Sequence, residues 1–339
     1  MESTKKNPDI SHVYDFYQKG NFVKTLTQKH GQNYLRYREK WDRAQKGEYL
    51  SEQPLYIVIG TNSNCNLRCV MCPFRKFHKQ ERILLDSKLL QKIANECAMY
   101  EIPSLAIGTT GECLLHPDIC EILSLFSKSK TGLLDFFIIT NGTQLTEKIS
   151  RHIVKEGLDR ISISIDAATP DTYHTIRGGN LIQLEKNIEQ FLKIRQEANS
   201  PTPILRVTFL KQQINAHEQD LFLEKWIDKA DLIAISDDVI IHPPISEVHN
   251  YSHIKPFCCY EPWQRLIIDH FGNIYPCCGG GAALCEESLQ EYLLLGNIRN
   301  MTIVDAWNGT KIRTLRQSFE NGKNWPICQW CKAHREKII

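Results

Sequence analysis

The sequence predicts an α/β fold, in which a partial (β/α)6 barrel of the TIM type is followed by a small cysteine-rich α+β domain. Two observations lead to this prediction. Six short apolar runs alternate with amphipathic segments as far as residue 241, and beyond that point the alternation stops and cysteines cluster. The 339 residues are enough for more than one hydrophobic core.

The strand candidates are apolar at successive positions, which indicates burial on both faces, as in a parallel sheet. They are, in chain order, residues 55–61, 104–110, 135–141, 160–166, 204–210 and 231–237. The segments between them carry apolar residues at spacings of three and four, which predicts helices and right-handed crossovers. Eight strands would close a barrel, so six predict an open one with its functional residues at the carboxyl ends of the strands.

Three regions are expected along the chain. Residues 1–50 are polar and favour helix without strand alternation, so they form an N-terminal helical extension. The barrel takes residues 51–245, because the β/α rhythm fails in the segment IHPPISEVHN. The cysteine-rich auxiliary domain takes residues 246–339.

Composition excludes several classes of protein. The 41 basic and 39 acidic residues nearly balance, so we expect no nucleic-acid partner. No apolar run approaches the roughly 20 residues that cross a bilayer, and the N-terminus lacks the apolar centre of a signal peptide, so we expect a cytoplasmic protein without membrane attachment. The 13 cysteines are then reduced thiols, which indicates metal binding or catalysis rather than disulfides.

The stretch CNLRCVMC follows the first strand and holds three cysteines, Cys65, Cys69 and Cys72. Three thiolates in one loop hold three irons of a four-iron cluster and leave the fourth iron open for an outside ligand. A zinc site with a distant fourth ligand is the alternative, but this spacing is unusual for zinc.

This loop, NSNCNLRCVMCPF, resembles the signature loop of the radical S-adenosylmethionine (SAM) superfamily. The resemblance implies that SAM binds the open iron and is cleaved to a 5′-deoxyadenosyl radical, which takes a hydrogen atom from the substrate. It also implies that Met71 is among the SAM-binding residues. A low-potential electron donor such as flavodoxin or ferredoxin is implied as a partner.

Later strand ends resemble the same family. GTTGECLLHPD is similar to its glycine–glycine–glutamate segment, with Thr110 in place of the first glycine. The resemblance implies that Glu112 binds the SAM amino group with Gly111 beside it. It implies further SAM contacts from the strand ends that follow: Asn141, Ser164, Asp166 and Arg177. Taken singly, the serine would be a strand residue and Asp166 a turn former.

The C-terminal cysteines resemble the SPASM domain, or its short form, twitch. The resemblance implies one auxiliary 4Fe–4S cluster held by four thiolates: Cys259, Cys277, Cys328 and Cys331. Cys258 is the alternative to Cys259, and spacing alone leaves a zinc site open. Because no cysteine follows Cys331, we expect one auxiliary cluster, which with the SAM-binding cluster makes two.

Three further residues are candidates for catalysis. Cys278 is a hydrogen donor to a substrate radical, a cluster ligand in place of Cys277, or a packed thiol. Asp237 and Asp238 end the sixth strand, where they bind substrate, act as a base or cap the next segment.

These features favour an enzyme that abstracts a hydrogen from a carbinol carbon of a sugar or aminocyclitol and epimerises it. The alternatives are a dehydrogenase with the auxiliary cluster as electron acceptor, a peptide maturase, and an iron–sulfur electron carrier.

Overall fold

The computed structural model describes residues 4–5, 15–18, 21–72, 74–75, 82–237, 258–278 and 292–329. These residues form one mixed sheet flanked by helices. The strands are β1 (Thr4–Lys5), β2 (Asp15–Gln18), β3 (Tyr56–Ile59), β4 (Ser104–Ile107), β5 (Asp135–Thr140), β6 (Arg160–Ser164), β7 (Ile204–Lys211), β8 (Leu232–Asp237), β9 (Arg265–Ile268), β10 (Asn273–Tyr275) and β11 (Gly296–Asn297). The helices are α1 (Phe22–His30), α2 (Gln32–Gln45), α3 (Ser87–Met99), α4 (Ile119–Leu125), α5 (Lys128–Thr131), α6 (Glu147–Glu156), α7 (Pro170–Arg177), α8 (Leu181–Glu197), α9 (Gln219–Trp226), α10 (Ile303–Trp307) and α11 (Thr310–Glu320).

Strands β3 to β8 lie side by side in chain order and run parallel, with helices between them. This confirms the six predicted strands and the mixed α/β fold. The carboxyl ends of these strands therefore share one edge, where the loops with the predicted site residues begin. On the far side of β3 the C-terminal part continues the same sheet, because β9 pairs parallel with β3 and β10 pairs antiparallel with β9.

The N-terminal region departs from the expectation. Two helices, α1 and α2, lie there as predicted, but the region also holds two strands that the lack of strand alternation did not predict, and β1 pairs antiparallel with β2. Strand β2 pairs antiparallel with β8, so that Asp15 lies opposite Ile235 and Gln18 opposite Leu232. This pairing covers the backbone groups that β8 would otherwise present at the edge of the parallel strands.

Each parallel strand is buried on both faces. One face packs against the helices between the strands and forms the outer core, to which Ile57, Leu105, Ile161, Val207 and Ile233 belong. The alternate positions face the other way and form the inner core, to which Val58, Ala106, Phe137, Ile204 and Leu232 belong. Helices α1, α2 and α11 pack on this inner face.

The N-terminal helices are held by ionic contacts. Asp159 accepts a hydrogen bond from the Phe136 amide at 2.7 Å and lies 2.7 Å from the Lys29 ammonium and 2.5 Å from His30 Nε2. Farther along, α2 inserts Tyr34, Tyr37 and Trp41 into the inner core. The inner face of the strands is therefore closed by α2 at their amino-terminal end.

Two predicted helix boundaries agree with the structure. Helix α4 begins directly after Asp118, and α6 ends at Gly157, whose φ of 69° lies in the left-handed region that favours glycine. The domain boundary expected at residue 245 lies outside the described residues. Within the described ranges, no helix has both the length and the apolar character that crossing a bilayer requires.

Candidate active site

The loop with the first three cysteines follows β3 and is fixed against the end of α7. The Arg68 amide donates to the Arg177 carbonyl at 3.0 Å, and the Val70 amide donates to the Ile176 carbonyl at 2.8 Å. These two backbone hydrogen bonds join the loop after the first parallel strand to the helix that follows the fourth, β6. Met71 lies half-buried in the same loop.

Two of the three thiols lie beside polar N–H donors, one from the loop after β5 and one from the end of α7. Asn141 Nδ2 lies 3.7 Å from Cys65 Sγ, and Arg177 Nη1 lies 3.5 Å from Cys69 Sγ. Burial, together with the nearby Glu112, Cys69 and Cys72, raises the pKa of Cys65 to about 12. The three cysteines therefore share one partly buried site, where bound iron would replace their protons.

This arrangement fits a four-iron cluster. In the part of the chain that the structure describes, no three potential ligands converge as they would around a single metal ion. Thiolates of a 4Fe–4S cluster each bind a different iron and need not converge on one point. The N–H donors beside Cys65 and Cys69 are of the kind that tunes a cluster through its sulfur atoms.

Glu112 is buried and its carboxylate links two strand ends. It accepts hydrogen bonds from the Leu114 amide at 3.0 Å, the Thr140 hydroxyl at 2.5 Å and the Asn141 amide at 2.6 Å. Burial raises the pKa of Glu112, while these donors act in the opposite direction. The Leu114 and Thr140 donors, and the Cys113 thiol at 3.8 Å, are all at Oε1, whereas Oε2 accepts only from the Asn141 amide. Because each carboxylate oxygen has about two acceptor positions, one at Oε2 is left for a further donor such as an amino group.

The backbone beside Glu112 requires glycine. A Cβ atom on Gly111 would lie 2.3 Å from Asn62 Oδ1 and 2.7 Å from the Asn62 carbonyl. Asn62 Nδ2 donates to the Glu112 carbonyl at 2.9 Å, while Asn62 Oδ1 and Asn64 Oδ1 are buried without a hydrogen-bond partner. Unsatisfied acceptors beside the cysteine loop fit a site that binds a ligand with N–H or O–H donors.

Thr110 and His270 make a contact that the sequence does not predict. The Thr110 hydroxyl donates to the Asn62 carbonyl at 3.1 Å and lies 3.0 Å from His270 Nδ1. Because the hydroxyl has one proton, Nδ1 must donate to it. Burial lowers the pKa of His270 to about 4, so the ring is neutral. His270 follows β9, so the C-terminal part of the chain buttresses the Glu112 loop.

Asp166 and Arg177 contact each other. The Arg177 guanidinium forms an ion pair with the Asp166 carboxylate, which is fully buried and also accepts from the Leu210 amide at 2.8 Å. The same guanidinium reaches Cys69 Sγ. Asp166 therefore orients an arginine at the cysteine loop. Ser164, two residues earlier, is half-buried on the inner face of β6.

The auxiliary cysteines gather at the other end of the sheet. Strand β9 begins beside the first residue of β3, and β10 runs back, so the chain returns toward the start of β9 after Tyr275. Burial raises the pKa of Cys277, and Cys278, Cys259 and Cys328 are among the groups that raise it further. Cys258 is exposed, and its thiol bonds to the Tyr260 hydroxyl instead.

Two of the predicted residues cannot be located: Asp238 and Cys331 lie outside the described residues. Asp237 is the last residue of β8. Among the remaining thiols, Cys113 is buried beneath the Glu112 loop and donates to the Ile139 carbonyl at 3.4 Å, and Cys97 is buried in the outer core.

Sequence comparison agrees with this organisation. The model of the radical SAM superfamily matches residues 59–212, and the model of an iron–sulfur cluster-binding domain, SPASM, matches residues 258–332. The chain therefore contains a radical SAM domain and a SPASM domain. These two domains imply SAM and 4Fe–4S clusters as cofactors, with one cluster in the radical SAM core and one in the auxiliary domain.

Individual relatives differ in their chemistry. GTP 3′,8-cyclase of Lactiplantibacillus plantarum is 37% identical over 133 residues, which are 38% of this chain and 39% of the cyclase. The chain therefore spans about two fifths of that relative. A tungsten-containing aldehyde ferredoxin oxidoreductase cofactor-modifying protein of Pyrococcus furiosus is 22% identical over 320 residues, which are 81% of this chain and 86% of that protein.

Solved structures share the fold. Streptococcus suis SuiB bound to S-adenosylmethionine is similar with a TM-score of 0.57 at 14% identity, and the match covers 84% of this chain and 72% of SuiB.

Proposed function

We propose that this radical SAM enzyme epimerises a carbinol carbon of a small sugar or aminocyclitol, with Cys278 as the hydrogen donor. The observation that carries the proposal is the position of Cys278. It is half-buried against the inner core, and it lies close to Arg265 at the start of β9. The cysteine loop lies beyond the opposite end of β3, so the barrel interior separates the two ends.

Epimerisation needs a hydrogen-atom acceptor on one face of the reacting carbon and a hydrogen-atom donor on the opposite face. When bound, SAM and its cluster supply a 5′-deoxyadenosyl radical that takes one hydrogen atom from the substrate. The Cys278 S–H bond then breaks and its hydrogen atom bonds to the carbon from the opposite face. One electron from the low-potential donor and one proton from solvent would restore the Cys278 thiol. The substrate is then isomerised without net oxidation, while each turnover consumes one SAM and two electrons, one for SAM cleavage and one for the thiol.

The residues around the cysteine loop would hold SAM for this reaction. Glu112 is held by three donors and keeps an acceptor position for the SAM amino group. Arg177, held by Asp166, offers a guanidinium fork that matches a carboxylate such as that of SAM. Asn141 fixes the first cysteine of the loop through its amide.

Two features favour a small substrate over a peptide. The β8 edge is already paired with β2, so a peptide strand cannot add to the parallel sheet there. At the amino-terminal end of the strands, the aromatic side chains of α2 fill the inner face. A substrate must then fit within the barrel interior.

A dehydrogenase is the second candidate, and the cysteines beside Cys278 favour it. Cys259 and Cys328 lie near Cys277 at the same end of the sheet as Cys278. A cluster held by these cysteines, the electron acceptor of a dehydrogenase, would therefore lie beside the thiol that is proposed as hydrogen donor. In that reaction a base, for which Asp237 and Asp238 are candidates, takes the carbinol proton and the cluster takes the electron.

The test uses anaerobically reconstituted enzyme in D2O with monosaccharides, sugar phosphates and aminocyclitols, screened by 5′-deoxyadenosine formation. Epimerisation predicts one solvent deuterium at the inverted carbon, and Cys278→Ala abolishes inversion. The matched control is Cys120→Ala, a half-buried thiol that packs on the outer core and keeps inversion. A ketone product that forms equally with Cys278→Ala would refute the epimerase and support the dehydrogenase. No 5′-deoxyadenosine with any compound would support an electron carrier.

A further inference from the structure

A surface groove, the basal groove, opens at the amino-terminal end of the parallel strands. Its floor is formed by Leu55, Pro103 and Leu134, which directly precede β3, β4 and β5, and by Tyr37 of α2. Its volume is about 630 Å³. The cysteine loop lies beyond the opposite end of these strands, so the groove is separate from the SAM site.

Three exposed cations lie along the rim of the basal groove: Arg36 and Lys40 on α2, and Lys130 on α5. Among the described residues, none of the three has an ion-pair partner. Arg36 donates to the Asn33 side-chain oxygen at 3.5 Å, and the Lys40 ammonium lies 6.0 Å from the centre of the Tyr49 ring, so both contacts are with neutral groups. Because Arg36 and Lys40 are four positions apart on one helix, their like charges repel, and an anionic partner would relieve this repulsion.

The charge of the groove is positive overall. Glu101 is the single acid among the lining residues that the structure describes. In the whole chain basic and acidic residues nearly balance, so the excess here is local. A charged, exposed rim around an apolar floor is typical of a protein interface, and a positive rim is complementary to an acidic partner.

Packed side chains join the groove to the auxiliary cysteines. The ring of Tyr37, in the groove floor, lies 6.2 Å from the ring of Trp41, one turn farther along α2. The Trp41 ring lies 5.9 Å from the Arg265 guanidinium at the start of β9. Strand β10 returns the chain toward that point, and Cys277 and Cys278 are among the groups that raise the pKa of Arg265. A buried route therefore runs from the groove to the auxiliary site.

We propose that the basal groove docks a small acidic electron-transfer protein, of the flavodoxin or ferredoxin type, that reduces the auxiliary cluster. One electron leaves the partner's redox centre and enters the cluster by way of Tyr37 and Trp41, and no bond forms or breaks. The inference rests on the proposed function in one respect, that this electron and a solvent proton then restore the Cys278 thiol. A groove of this size suits the role, because electron-transfer encounters bury little surface.

The first experiment measures docking itself. The anaerobically reconstituted, SAM-loaded enzyme is titrated with flavodoxin and with a 2Fe–2S ferredoxin, both acidic, by calorimetry at low and high salt. We expect at least one of them to bind at low salt and to bind more weakly as salt is added. The variant with Arg36→Gln, Lys40→Gln and Lys130→Gln should bind at least about tenfold more weakly, whereas Glu101→Gln should bind more tightly.

The matched control removes the same number of charges from another face. Three lysines are exposed on α6 and α8, and each is replaced by glutamine: Lys148, Lys186 and Lys193. This variant has the same net charge as the groove variant and should bind like wild type. A difference between the two therefore reports the groove rather than the total charge.

The second experiment connects the groove to the auxiliary cluster. Replacing the loop cysteines by alanine (Cys65, Cys69 and Cys72) leaves the auxiliary cluster as the one to be reduced. Its reduction by flavodoxin hydroquinone is followed by freeze-quench electron paramagnetic resonance. We expect the second-order rate constant to fall at least about tenfold when the three groove cations are also replaced. Dithionite, a small reductant that needs no docking, should reduce both proteins at the same rate.

Equal affinities of wild type and the groove variant would overturn the proposal, and so would binding of neither probe or an auxiliary cluster that flavodoxin does not reduce. Self-association that the groove variant abolishes, with unchanged binding of both probes, would assign the groove to a second copy of the chain and also overturn it. Failure of the proposed function looks different. In that case docking and reduction still depend on the groove, but Cys278→Ala does not change the incorporation of solvent deuterium.

Discussion

The ion pair between Asp166 and Arg177 gives the sharpest test of how the SAM site is held together. Its side chains are 0% and 11% exposed, and the arginine also contacts Cys69 Sγ. Removing one partner leaves the other charge buried, which costs about 3–5 kcal/mol. We therefore expect Arg177→Gln and Asp166→Asn each to lower the free energy of unfolding by about this amount.

The double variant should lose far less than the sum of the two, because it leaves neither charge. Asparagine suits the position, since Asp166 has a φ of 62°, a conformation that asparagine tolerates, and asparagine keeps an oxygen for the Leu210 amide. The assay is urea unfolding of the four reconstituted proteins under anaerobic conditions, analysed as a double-mutant cycle. Losses that add to within about 0.5 kcal/mol would refute the coupling.

Two further predictions concern Glu112 and His270. In Glu112→Gln, the side-chain NH2 faces one of the backbone amides from which the carboxylate accepts a hydrogen bond. The affinity for SAM, measured by equilibrium dialysis, should therefore fall at least about tenfold. Glu121→Gln, on the exposed side of α4, should bind SAM normally, and equal binding by both would contradict the role. Burial lowers the pKa of His270 from about 6.5 to about 4. Between these pH values the unfolded chain binds a proton that the folded protein does not, so the stability that the neutral ring contributes is complete above pH 6.5 and falls as the pH drops toward 4. Wild type should lose up to about 3 kcal/mol more than His270→Asn over this range in urea unfolding, and parallel pH curves would contradict this.

The parallel strands could be predicted because burial on both faces leaves a local pattern of apolar residues. The cysteine loop and Glu112 could be recognised because each follows such a strand. Since parallel strands end at a common edge, their loops meet whatever the distance between them in the sequence. Local patterns thus defined both the sheet and the part of the site closest to the cysteine loop.

The features that could not be predicted depend on pairing between distant segments. Nothing in the four residues of β2 indicates that Asp15 will lie opposite Ile235. His270 likewise reaches Thr110 only because β9 joins the edge of β3.

The count of iron tests the central claim most directly. Anaerobically reconstituted wild type should bind about eight irons, as two four-iron clusters require. The variant with Cys65, Cys69 and Cys72 replaced by alanine should bind about four. The variant with Cys259, Cys277 and Cys328 replaced by alanine should also bind about four. A wild-type total near four that does not change when the first three cysteines are replaced would contradict a cluster in the loop after β3.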